Sequence, residues 1–308
     1  TGLAVPVAQK FGAKSYSEMR KFVMNAAYLA IFLAVIMTIV TCALCGSILT
    51  WMKTPNQFYQ GAYDYLFVIF LGIPFTFLYN VVAGIIRSLG DSKTPFYFLV
   101  LSAVMNIFLD MLFIIVFKLG TAGAGWATIL SQAISGVLCF RYMKKKYDIL
   151  KTNRQERRLD MHYIKTLFTM AVPMGLQFSI TAIGSILLQS AVNTLGAVYV
   201  SAFAAATKVK QLAMCPYDGF ATASATFGSQ NLGAGNLKRI REGLKSGIII
   251  SVIYSIAIGI VLIFAGSKIA LIFVSGSETE VLGYAQQLLT CAGFFYFFLA
   301  FLNCTRLT

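Results

Sequence analysis

Charged residues are scarce in this chain of 308 residues: they make up 12% of it, whereas hydrophobic residues make up 58%. A soluble domain needs a larger charged fraction to keep its surface solvated. The shortage of charge therefore excludes an ordinary soluble domain and favours a chain whose apolar surface lies in a membrane.

Residues that build catalytic, metal and nucleotide sites are also few. The one histidine, His162, lies at the predicted cytoplasmic edge of the membrane, so we expect no histidine-based triad or histidine-ligated zinc. The chain has no G-x-x-x-x-G-K-[ST] loop, which excludes this type of ATP site. Its six cysteines lie in apolar runs: Cys42, Cys45, Cys139, Cys215, Cys291 and Cys304. Because no second pair accompanies the Cys42-x-x-Cys45 spacing, we expect all six to be small core residues. We expect no enzyme activity, no cofactor and no metal.

Long apolar runs dominate the sequence instead. Eight of them carry few or no charges: residues 22–52, 65–86, 96–117, 122–140, 166–196, 199–228, 247–273 and 284–305. About 20 helical residues cross the hydrocarbon core of a bilayer, and each run is near or above that length. The runs predict a polytopic all-α membrane protein and disfavour a barrel, whose strands would be shorter and would alternate.

Positive charge is concentrated in alternate connections between these runs. Connections near residues 10–21, 87–93, 141–165 and 238–245 hold 19 of the 25 lysines and arginines. The other connections hold Lys53, Lys118 and Lys268. By the positive-inside rule, the basic connections face the cytoplasm. The basic segment 141–165 is then a connector near lipid headgroups and not a nucleic-acid arm, so we expect no nucleic-acid partner.

The chain repeats itself at an offset of 221 residues. Gln9, Gly12, Ala13 and Arg20 match Gln230, Gly233, Ala234 and Arg241, and the same register continues to Tyr63 and Tyr284, Gly72 and Gly293, and Phe77-Leu78 and Phe298-Leu299. Both junctions lie on the predicted cytoplasmic side, so the copies are parallel repeats. We expect each junction to be a turn in which Gly12 or Gly233 closes a helix in the left-handed conformation.

Several motifs together resemble the MATE (multidrug and toxic compound extrusion) transporters, and within them the DinF-like branch. They are VAQKFGA and GSQNLGAGN at the two junctions, LYNVVAGIIRSLGDSKTP (78–95), MNIFLDMLFIIVF (105–117), GTAGAGWATILSQ (120–132) and AVPMGLQFS (171–179). The resemblance implies a twelve-helix fold of two pseudo-symmetric six-helix lobes. This chain would run from the end of helix 2 through helix 10, with an N-lobe at 1–146, a cytoplasmic linker at 147–160 and an incomplete C-lobe at 161–308.

One carboxylate stands out within the predicted N-lobe. Asp110 lies inside an apolar run, where an ionisable group is costly unless it is paired or hydrated, and Asn106 precedes it by one helical turn. Thr128 is expected at a similar depth on the next helix. The family's N-lobe ion site uses an Asn and an Asp one turn apart with a Thr on the following helix, so the resemblance assigns Asp110, Asn106 and Thr128, with Asn80 as a further candidate. The alternative is that these residues tie helices together by hydrogen bonds.

The predicted C-lobe offers polar candidates for a substrate cavity: Gln177, Gln189, Asn193, Lys208, Lys210 and Asp218. The lysines could instead snorkel outward or pair with Asp218, and the amides could join helices. Two lysines in a cavity would oppose a simple cationic substrate. Residues 163–196 and 284–305 contain no Asp or Glu, which moves the expected coupling site to the N-lobe.

The resemblance implies an H⁺- or Na⁺-coupled antiporter of the bacterial cytoplasmic membrane, exporting drugs or small organic metabolites by alternating access of its lobes. A lipid-linked precursor flippase of the same superfamily and a non-transporting membrane scaffold are the alternatives. The expected partners are a small-molecule substrate and membrane lipids around a monomer. Two local expectations accompany this interpretation: Pro74 and Pro173 bend their helices, and Arg87 pairs with Asp91.

Overall fold

The computed structural model describes residues 2–52, 54 and 56–305, with side chains described as far as residue 302. Lys53 and the Cys304 side chain therefore lie outside the described residues. All regular structure in the described part of the chain is helical, as the apolar runs predict, and the expected all-α fold is confirmed.

Ten α-helices follow one another along the chain. They are α1 (Val5–Gly12), α2 (Tyr16–Trp51), α3 (Asn56–Leu71), α4 (Ile73–Ser88), α5 (Lys93–Asp110), α6 (Gly120–Lys146), α7 (Met161–Asn193), α8 (Ala197–Gly233), α9 (Leu237–Ala270) and α10 (Thr279–Thr305). A π-helical turn, Met111–Val116, extends α5. Among the described residues, six helices are long and apolar enough to cross a membrane, or seven if α3 and α4 form one bent span. The predicted run at 199–228 corresponds to α8, which has 37 residues, but its charged residues lower its apolar character.

The helices form two units, each with its own core. The N-terminal unit, Thr1–Ala171, has a core between α1, α2, α4, α6 and the start of α7, with Met19, Phe22 and Ile86 among its buried residues. The C-terminal unit, Val172–Thr308, has a core between α8, α9 and α10 around Tyr217 and Leu262.

The repeated junction folds in the same way in both units. In the N-terminal unit, the Ala13 amide donates to the Gln9 carbonyl (2.9 Å) and the Ser15 amide to the Lys10 carbonyl (3.0 Å). Their counterparts 221 residues later make the same bonds: Ala234 to Gln230 at 3.0 Å and Asn236 to Asn231 at 2.9 Å. The next helices, α2 and α9, begin at residues separated by that same offset. The repeat read from the sequence is therefore also a repeat of backbone geometry.

The glycine prediction at this junction was wrong in position. Gly12 and Gly233 end their helices in ordinary helical geometry, and the left-handed residues are Lys14 (φ 56°) and Gly235 (φ 71°). In each copy the left-handed residue comes two positions after the glycine, because one more right-handed residue closes the last hydrogen bond of the helix. Glycine occupies the left-handed position in only one of the two copies.

The second repeated helix is broken in the N-terminal unit and continuous in the C-terminal unit. In the N-terminal unit, α3 and α4 meet at Gly72 with a bend of 44°, and Pro74 lies in the first turn of α4. A proline there cannot continue the hydrogen bonding of α3, so the predicted bend at Pro74 is confirmed. Helix α10 runs unbroken through Gly293, the counterpart of Gly72. Pro173 lies inside α7, where the bend stays a prediction.

Asp91 does not form the predicted ion pair with Arg87. Its carboxylate instead accepts hydrogen bonds from the Tyr147 hydroxyl (2.6 Å) and the Lys146 ammonium (3.3 Å). It also caps the start of α5 through the amide and hydroxyl of Thr94. Asp91 faces the end of α6 and not the end of α4, so it joins α5 to α6.

The linker segment 147–160 is fastened to α2 by a buried carboxylate. Glu156, 4% exposed, accepts hydrogen bonds from Arg20 Nε (2.8 Å) and Nη2 (2.6 Å), and from the Ser17 hydroxyl (2.8 Å). The fully buried Asn25 accepts a hydrogen bond from the Asp160 amide (2.9 Å). The Arg20 guanidinium lowers the pKa of Glu156 to about 2, so the pair is ionised at neutral pH.

The cysteines follow the core prediction only in part. Cys45 and Cys139 are buried and Cys42 is half-buried, whereas Cys215 and Cys291 are exposed on α8 and α10. The prediction was wrong for the last two, because an apolar run in a long helix does not bury every one of its side chains.

Candidate functional site

A polar seam runs between α5 and α6 in the N-terminal unit. Asn106 and Asp110 occupy successive turns of α5, and the Asn106 amide approaches the Thr128 hydroxyl of α6 at 3.4 Å. Thr128 donates to the Ala124 carbonyl of its own helix (3.0 Å), which leaves its oxygen free to accept from Asn106. Lower on the seam, the Ser135 hydroxyl donates to the Phe98 carbonyl (2.6 Å). The structure thus brings Asn106 and Thr128 together.

Asp110 ends this seam with an unsatisfied oxygen. Its Oδ1 atom is buried and, among the described residues, has no hydrogen-bond partner. A buried polar atom without a partner costs about 1–3 kcal/mol, and more when it is charged. A proton on the carboxyl group, or a small cation held against it, would remove that cost.

The backbone changes pitch directly after Asp110. The π-helical turn Met111–Val116 follows, and the Phe117 amide donates to the Leu112 carbonyl five residues back (3.0 Å). Such wide turns concentrate at functional sites in helical proteins. Here the turn shifts the register of the helix immediately after the carboxylate.

A second polar contact joins α4 to α6 beside the seam. The Thr76 hydroxyl donates to the Gln132 side-chain carbonyl at 2.5 Å, and Gln132 lies one turn beyond Thr128 on the same helix. Sequence reasoning missed both residues, although Gln132 follows Thr128 at the spacing that places two side chains on one face. Asn80 is exposed, and its amide donates to the Thr76 carbonyl of its own helix (2.8 Å), so it lies next to this contact and makes no bond to Asn106 or Asp110.

The candidates of the C-terminal unit form no comparable cluster. Lys208 and Asp218 are exposed and Lys210 is half-buried. Within the described part of the chain, the ion pairs lie in the N-terminal unit: Lys10–Glu18, Arg20–Glu156, Lys146–Asp91 and Lys151–Asp148. The lysines therefore make no ion pair with Asp218 in this structure.

The amide candidates lie on α7. Gln189 donates to the Asn193 side-chain carbonyl on the same helix (2.9 Å), and Gln177 is half-buried. The Gln189–Asn193 bond lies within α7 and does not join two helices.

Three tyrosines surround Pro216 in α8 and were not predicted. Tyr217 and Ser255 share a buried hydrogen bond (2.5 Å), and the Tyr254 hydroxyl donates to the Ala213 carbonyl (2.9 Å). The Tyr296 hydroxyl points to the Lys210 carbonyl (3.4 Å). Pro216 has no N–H to bond the Leu212 carbonyl, whereas the carbonyls that accept from Tyr254 and Tyr296 belong to Ala213 and Lys210. This cluster is packing around a helix irregularity.

The sequence family described as MatE matches residues 1–112 and 121–307, which is nearly the whole chain. The chain belongs to the MATE family. Among curated proteins of Bacillus subtilis strain 168, it is 26% identical over 304 residues to the probable multidrug resistance protein YoeA. It is 32% identical over 253 residues to the probable multidrug resistance protein YpnP.

The two relatives are longer than this chain. The YoeA match covers 96% of this chain and 66% of YoeA, and the YpnP match covers 82% of this chain and 56% of YpnP. The chain thus spans less than two thirds of these curated relatives. A solved outward-facing multidrug resistance MATE transporter of the MOP superfamily has the same fold, with a TM-score of 0.93 at 22% identity over 99% of this chain and 68% of the solved one.

Proposed function

We propose that this chain is part of an ion-coupled antiporter that exports drugs or small organic metabolites. The unsatisfied Oδ1 of Asp110 carries the proposal, because an antiporter needs a group that binds its coupling ion in one state and releases it in another. The names of the B. subtilis relatives support multidrug substrates. The protein would be a multi-pass transporter of the bacterial cytoplasmic membrane, with its basic connections in the cytoplasm and no enzyme activity.

Asp110 would bind H⁺ or Na⁺, and its neighbours would shape the site. Asn106 presents an amide to Thr128 across the seam, which fixes the turn of α5 that carries Asp110. Filling or emptying the site changes the charge of the seam by one unit. That change would bias the alternating access of the two lobes.

Substrate contacts would come from the polar residues of α7 and α8. Lys208, Lys210 and Asp218 make no ion pair within the described residues, so their charges are available to a ligand. Gln177, Gln189 and Asn193 would add hydrogen-bonding groups. Because two of the three charges are positive, anionic or zwitterionic compounds should compete with cationic ones.

Transport by the full-length protein in liposomes tests this proposal. Efflux of a fluorescent organic compound is measured after a pH gradient, a Na⁺ gradient or neither is imposed. Efflux that accelerates at least tenfold with one gradient, and stops when an ionophore collapses it, is expected. Efflux that ignores both gradients would overturn ion coupling, and the absence of movement for every compound tested would overturn export.

A further inference from the structure

The N-terminal unit contains a cavity of about 630 Å³ that the proposed transport site does not use. Helices α2, α4 and α6 form its walls, and the linker segment 147–160 forms its rim. Asp110, Asn106 and Thr128 are absent from its described lining. We call it the rim cavity.

The rim cavity changes polarity from one end to the other. Val35 of α2 and Pro74 of α4 lie at its apolar end, farthest along their helices from the linker. Lys144, Lys151 and Arg157 lie at the linker end, and none of the described lining residues is acidic. The wall formed by residues 23–35 of α2 is about 18 Å long at 1.5 Å per residue. The cavity therefore matches a molecule with an anionic head and a long apolar chain.

Two of the three basic residues keep their charge available. Glu156 is engaged by Arg20 and does not neutralise the rim. Arg157 is oriented by Thr152, whose hydroxyl and carbonyl accept from its guanidinium at 2.9 and 3.3 Å. Lys144 extends over the Phe140 ring at 5.6 Å. Lys151 is paired with Asp148 (2.7 Å), so Lys144 and Arg157 carry the anion-binding potential.

We propose that the rim cavity binds an anionic phospholipid. The headgroup phosphate would lie against Lys144 and Arg157, and one acyl chain would follow α2 past Ala27 toward Ala34. Basic pockets between transmembrane helices on the cytoplasmic side are suited to anionic headgroups, because they combine apolar walls with the charge of that leaflet. The assignment to the cytoplasmic leaflet rests on the orientation proposed above, whereas lipid binding itself does not.

Lipid retention by the purified full-length protein tests the proposal. The protein in mild detergent is titrated with phosphatidylglycerol, phosphatidylcholine or glycerol 3-phosphate, and bound ligand is counted by native mass spectrometry. Phosphatidylglycerol should bind at least tenfold more tightly than phosphatidylcholine. Glycerol 3-phosphate, which has the charge without the chains, should not compete. Equal retention of both lipids, competition by glycerol 3-phosphate, or no bound phosphatidylglycerol would each overturn the proposal.

Variants assign the binding to the rim cavity. The double substitution Lys144→Gln/Arg157→Gln should weaken phosphatidylglycerol binding at least tenfold. Its matched control, Lys145→Gln/Arg158→Gln, removes the same charge from neighbouring residues that do not line the cavity, and should change binding less than twofold. Ala27→Phe should also reduce binding, because it fills the apolar wall. Equal effects of the two double variants would show a diffuse charge effect and overturn the site, even if Ala27→Phe fails to fold.

Discussion

The two units contain the same backbone turn, at residues 12–15 and 233–236, but join their segments through different polar groups. In the N-terminal unit, ionised side chains join distant segments, and Asp110 stays unsatisfied at the end of a polar seam. In the C-terminal unit, a neutral amide takes that joining role: Gln286 of α10 accepts from the Ser267 amide (2.5 Å) and donates to the Ile263 carbonyl (2.7 Å) of α9. The repeat thus preserves the turn, whereas the side chains that join segments differ between the two units.

The matched arginines show the same divergence. Arg20 is held by Glu156 of the linker, whereas Arg241, its counterpart at the 221-residue offset, is exposed. The same position of the repeat therefore holds the linker by an ion pair in one unit and lies at the surface in the other. Substitutions compared between the two units can separate what the units share from what is specific to one of them.

The largest difference is expected between the two membrane carboxylates, Asp110 and Asp218. Asp110→Asn keeps the shape of the side chain and removes its charge, so gradient-driven efflux should fall at least tenfold. Asp218→Asn, at an exposed position of α8, should keep more than half of the efflux of the wild type for an uncharged substrate. Efflux from liposomes at equal protein density measures both. Equal losses in the two variants would remove the distinction between the units.

The next largest difference is expected in the free energy of unfolding, between substitutions of the two matched arginines. Arg20→Gln leaves Glu156 buried without its cationic partner, which should cost about 3 kcal/mol of unfolding free energy. Arg241→Gln changes an exposed residue and should stay within about 0.5 kcal/mol. Chemical unfolding in detergent measures both, and tryptic cleavage at Arg157 and Arg158 should increase only in Arg20→Gln.

Acid should reduce the difference in unfolding free energy between the wild type and Arg20→Gln. Arg20 depresses the pKa of Glu156 to about 2. The stabilisation is therefore fully present above the ordinary carboxyl pKa and is lost as the pH falls from that value through the depressed pKa. The gap should therefore narrow progressively below about pH 5. A gap that stays constant down to pH 3 would contradict the ion pair as its cause.

A close helix crossing in the C-terminal unit gives a smaller effect. A methyl group on Gly259 would meet the Gly293 carbonyl oxygen of α10 at 2.9 Å, and that backbone atom cannot move without shifting the helix. Gly259→Ala should therefore cost about 2 kcal/mol. Gly283→Ala on α10 meets nothing within 4 Å and should be neutral or stabilising. Thermal unfolding in detergent ranks the pair, and equal melting temperatures would exclude a tight α9–α10 crossing.

The smallest effect is expected at the α4–α6 contact. Thr76→Val removes the hydroxyl that donates to Gln132 and keeps the shape of the side chain, so it should cost about 0.6 kcal/mol, typical of an interhelical hydrogen bond in a membrane. Thr41→Val is the control, since its hydroxyl bonds only within α2. Efflux should fall two- to threefold in Thr76→Val alone. An unchanged rate would restrict the functional seam to α5 and α6.

Local patterns predicted much of this fold. Apolar runs located the helices, helical spacing related Asn106 to Asp110, and the family resemblance grouped both with Thr128. The pattern did not predict the π-helical turn after Asp110, because residues 111–116 are uniformly apolar and carry no signal for a change of pitch. The Arg20–Glu156 pair also escaped prediction, since its partners are 136 residues apart and both lie in regions rich in charge.

The proposal that Asp110 couples ion movement to export is tested most directly by comparing two activities of Asp110→Asn. Gradient-free exchange of labelled for unlabelled substrate needs substrate binding and alternating access, whereas gradient-driven efflux also needs the ion site. We expect Asp110→Asn to retain most of its exchange and to lose at least nine tenths of its gradient-driven efflux. A variant that keeps both activities, or that loses both in equal proportion while remaining folded, would contradict a coupling role for Asp110.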